Sequence, residues 1–282
     1  VKRRFLATRK VFAQHIERIR IGMQLFHRWP YHRQSWHAGK IVFMIELDRF
    51  FHKASAFRHK LNIVTAFDFQ LNPIGPIVLG GPLFYPLSAA KEVLRFYRDF
   101  SADLPDEAEA YGGLLTLPDG APVVAMILGY NGPLDEGEKV LAPARAFGSP
   151  MADMLGPIPY AARNAMLDQP FVVHGIQRYW KSGFTTSFSD GLIDALADAA
   201  AGFTSPISAI VFFRIHGAAT RVPPGDTAFG LRQQQWDVNV IAEWTDPTEN
   251  SRHIDWTRRT WGAVEPLISG GSYINHLSGD DP

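Results

Sequence analysis

From Leu61 onward the hydrophobic pattern switches repeatedly between a period of two and a period near 3.6, and each switch marks an element. Over Asn62–Asn72, Ile63, Thr65, Phe67, Phe69 and Leu71 alternate with Val64, Ala66, Asp68 and Gln70, the pattern of a strand. Pro73-Ile74-Gly75-Pro76 is a turn and Ile77–Pro86 a second strand. Ser88 is placed to cap a helix over Ala89–Ser101, with Val93, Leu94, Phe96, Tyr97 and Phe100 inward. Tyr111–Leu117 and Pro122–Tyr130 read as a hairpin turned at Pro118-Asp119-Gly120. Leu134–Phe147 is helical up to Gly148, and Pro157–Met166 suggests a short helix. An irregular strand falls within Phe171–Phe184, an amphipathic helix over Asp190–Gly202, and a strand over Ser208–His216. In Trp236–Trp244, Trp236, Val238, Val240 and Ala242 alternate with Asp237, Asn239, Ile241 and Glu243. A last helix spans 247–266, opened by Pro247 and closed before Pro266. Hairpin-linked strands interrupted by helices predict an α+β domain, a mostly antiparallel sheet with helices packed on one face.

Residues 1–60 have a different texture. They hold 14 Lys and Arg against three acidic residues, Glu17, Glu46 and Asp48, whereas the rest holds 14 basic and 25 acidic residues, so a formal net charge of zero hides a strong asymmetry. We expect a boundary near residue 60: a basic N-terminal segment over 1–60 and one domain over 61–282. His27, His32 and His37 recur every five residues, which is no helical face, and no carboxylate stands among them. Cations interleaved with Trp29, Tyr31 and Trp36 could stack on single-stranded nucleic acid. The reading taken is a poorly ordered arm, with neither a metal nor a nucleic-acid partner.

The chain has no cysteine, which excludes disulfides, thiolate metal sites and a cysteine nucleophile. No apolar run reaches the roughly 20 residues of a membrane span. The charged first residues carry no export signal, so a cytoplasmic location is expected. Gly-x-Gly dinucleotide loops, phosphate loops, Gly-x-Ser-x-Gly elbows and His-Glu-x-x-His zinc helices are all absent.

From about Leu61 to the end, the order of short motifs resembles the substrate-binding half of the berberine-bridge-enzyme-like family of FAD-linked oxidases. Ile63–Phe69 with Leu71–Pro76, Arg178-Tyr179-Trp180-Lys181-Ser182, Trp236–Pro247 and Gly270-Gly271-Ser272-Tyr273-Ile274-Asn275 carry the likeness. The resemblance implies an FAD-dependent oxidoreductase acting on a hydroxyl-bearing small molecule. It also implies a site. Tyr273 and Asn275 would lie against the flavin, as alternate residues of one strand. His276 replaces a family tyrosine proposed as catalytic base, and an imidazole can take the hydroxyl proton. Tyr179, Lys181 and Asn239 would line the substrate cavity, with Arg178 and Gln235 as further options. Asp119, Asp226 and Asp246 are read as turn residues. The family's glycine loop before Ile63 reads Phe57-Arg58-His59-Lys60-Leu61-Asn62 here, and no Arg-x-Gly-Gly-His segment occurs in residues 1–60. The expectation is therefore a fragment truncated at both ends. The alternative is a non-catalytic remnant of the substrate domain that holds no FAD. The oligomeric state stays open.

Overall fold

The computed structural model describes residues 74–168, 174–227 and 229–276. The strand expected over Asn62–Asn72, the basic arm and the boundary near residue 60 lie outside them. In chain order the main elements are β1 (Ile77–Pro86), α1 (Ala90–Ala102), β2 (Ala108–Thr116), β3 (Pro122–Tyr130), α2 (Leu134–Ala146), β4 (Ala152–Asp153), β5 (Gly156–Pro159), α3 (Tyr160–Asn164), β6 (Gln177–Thr185), α4 (Asp190–Ala200), β7 (Ala209–Ile215), β8 (Gln235–Trp244) and α5 (Asn250–Val264). The strands form one 8-stranded sheet in the order β4-β1-β3-β2-β7-β8-β6, with β5 pairing β1. Every pairing is antiparallel. The α+β expectation therefore holds.

Local chemistry sets the element ends. Ser189 caps α4 by accepting from Leu192 N–H (3.2 Å). Asp246 accepts from Thr248 N–H (2.9 Å) ahead of α5, with Pro247 at the first helical position. Asp119 accepts from Ala121 N–H (3.0 Å) in the β2–β3 turn. Ser88 does not cap α1: Leu87–Ala89 forms a 3-10 turn, so Ala89 takes the cap position. The short helix expected over Pro157–Met166 begins only at Tyr160, because Gly156–Pro159 pairs with β1 as β5.

The main core lies between the sheet and the long helices. Leu79, Leu83, Val124, Met126, Ile210, Phe212, Val238 and Val240 from the strands meet Val93, Leu94, Tyr97, Leu141, Leu192, Leu196 and Trp256 from the helices. Phe212 contacts Tyr97 (5.0 Å between centroids) and Phe188 (5.2 Å), and its ring lies over Gly112, where a Cβ would come within 1.9 Å of it. The residues between these point to the opposite face, called the open face because no long helix of the described residues packs on it, and the site is built there.

Truncating the fully buried Phe212 should cost about 3–5 kcal/mol. Its open-face neighbour Phe213 is only half-buried, so Phe213→Ala should cost less than half as much. Urea denaturation of both variants checks the assignment of faces; equal losses would contradict it.

Candidate active site on the open face

Register fixes which side chains share the open face. On β8 these are Asp237, Asn239, Ile241 and Glu243; on β6 their partners are Phe184, Ser182, Trp180 and Arg178. Trp180 Nε1 donates to Asn239 Oδ1 (2.9 Å), and Arg178 pairs with Glu243. All ten residues of β8 are buried, so its polar members are buried as well. Such groups need partners or cost free energy.

The segment after α5 supplies the centre of the site. It first runs along the outer edge of β6. Phe184 N–H donates to Gly271 O (2.9 Å), Gly270 N–H to Phe184 O (2.6 Å), and Ser272 Oγ to Ser182 O (2.7 Å). A Cβ on Gly270 would lie 2.8 Å from the Phe184 carbonyl, so this close approach requires glycine. The chain then turns over the open face in one 3-10 turn, Ile274–His276, closed by His276 N–H to Tyr273 O (2.8 Å).

That turn replaces the strand expected here. Tyr273 packs with Phe184 and Ile215, and this burial draws the backbone off the edge and onto the face. In a 3-10 turn, residues three apart eclipse, so Tyr273 is grouped with His276 and not with Asn275. Tyr273 and His276 are 4% and 7% exposed, whereas Asn275 is exposed. The His276 ring stacks on Trp180 (4.6 Å, 19°) and meets Tyr273 edge-on (5.0 Å, 84°). Phe229, from the segment before β8, meets Tyr273 edge-on in turn (6.0 Å, 81°). Contacts of this kind are each worth about 0.5–1.5 kcal/mol beyond area burial, which holds the imidazole in one orientation.

That orientation brings His276 Nδ1 to 3.6 Å from Asp237 Oδ2. Asp237 is fully buried, and neither carboxylate oxygen has a hydrogen bond of normal geometry among the described residues. Burial pushes its carboxyl up from 3.8 to about 8, and the Asn239 amide on the same face opposes this only in part. The carboxyl thus keeps its proton at neutral pH or shares it with His276. Burial likewise pushes the Tyr273 hydroxyl up; nearby Asn275 opposes that shift, and the charge of Asp237 adds to it. The Tyr273 hydroxyl, Asn239 Nδ2 and Ser182 Oγ are buried without a hydrogen bond of normal geometry among the described residues, although Asn275 stands beside the first and Asp237 beside the second. A buried carboxyl, an imidazole and several unmatched polar atoms therefore gather on this face.

Of the residues proposed from the sequence, Tyr273, His276 and Asn239 come together, and Asn275 stands at their solvent side. Tyr179 and Lys181 are not brought to this cluster. They pair with Ala242 and Val240 on the helix-covered face, where Arg258 donates to the Tyr179 hydroxyl (3.2 Å) and Lys181 Nζ lies 5.5 Å from the Tyr179 ring. Sequence reasoning missed Asp237 and the ring platform of Trp180. A signal existed for Asp237: aspartate is depleted in strands, and this one sits mid-strand between Trp236 and Val238.

Comparison with known proteins agrees with this architecture. No protein-family profile matches the chain. An FAD-linked oxidoreductase of Dictyostelium discoideum is 24% identical over 225 residues, 78% of this chain and 48% of that protein. A berberine-bridge-enzyme-like protein of Arabidopsis thaliana superposes with a TM-score of 0.63 at 12% identity, covering 72% of this chain and 46% of the other. The 6-hydroxy-D-nicotine oxidase of Arthrobacter nicotinovorans gives 0.59 at 18% identity, covering 73% and 47%. The chain spans about half the length of the curated relative it matches. The fold is that of the substrate-binding half of these solved oxidases. The chain is thus similar in fold to berberine-bridge-enzyme-like proteins and in sequence to proteins named FAD-linked oxidoreductases.

A raised carboxyl makes stability pH-dependent. The folded state holds the Asp237 proton above pH 3.8, where the unfolded chain releases it, so stability should fall as pH rises from about 4 to about 8. The slope approaches about 1.4 kcal/mol per pH unit at most. In Asp237→Asn that component disappears. Denaturant midpoints across this pH range should diverge between the two proteins; parallel curves would contradict the assignment.

Proposed function

We propose that the open face is the substrate wall of an FAD-dependent enzyme that oxidises a hydroxyl-bearing organic molecule. The observation that carries this reading is the buried His276–Asp237 pair on the face of the sheet opposite the helices. With Nδ1 turned to Asp237, the opposite ring nitrogen, Nε2, takes the hydroxyl proton as the carbinol C–H bond breaks. A flavin, when bound, would supply the hydride acceptor, and the substrate would leave as a carbonyl compound. Once Asp237 is ionised, above about pH 8, its carboxylate fixes the ring with the proton on Nδ1 and stabilises the imidazolium that forms, so the rate should rise with pH through that range. Trp180 and Tyr273 keep water from the ring and restrain its rotation.

The residues present fit such a cofactor. Tyr273 has a buried hydroxyl with no hydrogen bond of normal geometry among the described residues, and exposed Asn275 adds a donor and an acceptor beside it. These two would hold the flavin's polar edge. Kinship with proteins named FAD-linked oxidoreductases points the same way.

Purified protein supplied with FAD should elute with a visible flavin band, and a hydroxylated substrate should bleach that band under anaerobic conditions. In His276→Gln the bleaching rate should fall about 100- to 10,000-fold, with flavin retention unchanged. Colourless protein, or an unaltered rate in the variant, would overturn the reading.

A further inference from the structure

The wall behind Tyr273 comes from a segment with little regular structure. Among the described residues between β7 and β8, the 3-10 turn Gly217–Arg221 is the one regular piece. Yet Ala219, Phe229 and Leu231 of this segment pack against the cluster of Phe184, Ile215 and Tyr273. An irregular loop keeps a side chain in one place only when its backbone is tied, because loose residues regain conformational entropy. Arg232, which is 2% exposed, makes the tie. Its Nε donates to Phe229 O (3.0 Å), its Nη2 to Thr227 Oγ1 (2.7 Å) and its Nη1 to Ala219 O (3.4 Å). Thr227 Oγ1 in turn donates to Phe229 O (3.1 Å). One planar fork thus gathers three points of the loop, which the single ammonium of a lysine has no geometry to do. The 3-10 turn is anchored in its own right, since Arg221 Nη1 donates to Asp106 (3.0 Å) ahead of β2.

From this arginine a line of contacts leads to His276. The guanidinium stands 5.1 Å from the centre of the Phe229 ring. Phe229 meets Tyr273 edge-on (6.0 Å, 81°), Tyr273 meets His276 edge-on (5.0 Å, 84°), and His276 stacks on Trp180 (4.6 Å, 19°). A ring clamped between two others keeps its angle only while both neighbours keep theirs. On one side Trp180 is fixed by its place in β6 and by its bond to Asn239 (2.9 Å). On the other side Tyr273 rests on Phe229, and Phe229 is carried by the loop that Arg232 ties. Phe184 and Ile215 also touch Tyr273, so loss of the tie loosens the clamp without emptying it.

We propose that Arg232 is a positioning residue for His276: through Phe229 and Tyr273 it sets the angle at which the imidazole faces Asp237. The use of that angle rests on the oxidoreductase reading above, because a proton acceptor turned away from its donor loses most of its rate. The mechanical link itself rests on the contacts alone. It explains why a charged side chain is buried in a loop otherwise lined by apolar ones: a fork with several donors fixes a loop more firmly than an aliphatic side chain of the same length.

The test reads the His276 ring directly. The full chain is labelled at its histidines, His276→Gln assigns the ring signals by NMR, and urea denaturation is measured alongside. In Arg232→Lys, which keeps the cation and loses the fork, the His276 signals should shift and broaden. Phe229→Leu should move the same signals, and the double variant should move them no further than Phe229→Leu alone, because both changes act along one line. Circular dichroism confirms folding; if Arg232→Lys does not fold, Thr227→Val, which removes one acceptor of the fork, takes its place with a smaller movement in the same direction. A merely structural tie would lower the urea midpoint and leave the ring signals where they are, so unmoved signals in a folded variant overturn the proposal. A double variant whose shift is the sum of the two single shifts overturns it as well. None of these readouts needs flavin. Protein that stays colourless with FAD yet shows the expected signals sustains the positioning role and sinks the oxidoreductase reading; a flavin band with unmoved signals does the reverse.

Discussion

The strand β8 is buried on both faces, and its faces differ in chemistry. One carries Trp236, Val238, Val240, Ala242 and Trp244 into the helix-covered core; the other carries Asp237, Asn239, Ile241 and Glu243. A slip of one residue would exchange them and bury two carboxylates among aliphatic side chains. The apolar face therefore locks the register, and the register places the reactive carboxyl. Fold and site are set by the same alternation.

The rest of the site depends on how the chain returns to that strand. Gly270 lets the segment after α5 approach the β6 backbone, and the bulk of Tyr273 then tips it onto the open face. His276 arrives already clamped between Trp180 and Tyr273, with one nitrogen toward Asp237. The interaction at 3.6 Å is longer than a hydrogen bond, as catalytic contacts often are before substrate binds. An imidazole held by rings and faced by a buried carboxyl has one fixed orientation, which is what the proposed proton transfer requires.

Much of this was legible in the residues. Alternation in Trp236–Trp244 separated Asp237 and Asn239 from the core side chains, and β1, β3 and α4 begin where the pattern or a turn residue said they would. Tyr273 and His276 were found through family likeness, not through periodicity. What stayed hidden depended on contacts distant in sequence. Lys181 and Tyr179 are polar enough to suggest a cavity, but their face is set by pairing with Val240 and Ala242, about 60 positions away. Tyr273 and Asn275 look like alternate strand residues, yet packing against Phe184 and Ile215 overrode local propensity and produced a turn. The weight of Asp237 emerged only when His276, 39 residues later in the chain, proved to lie against it.

The central claim is that Asp237 holds the His276 ring by Nδ1. Nitrogen NMR of the protein labelled at its histidines, compared with Asp237→Asn and with His276→Gln to assign the signal, tests it most directly. The account predicts that above about pH 8, where Asp237 is ionised, the His276 proton resides on Nδ1, and that the ring signals move when Asp237 is replaced. A ring protonated on Nε2, with signals indifferent to that replacement, would contradict it.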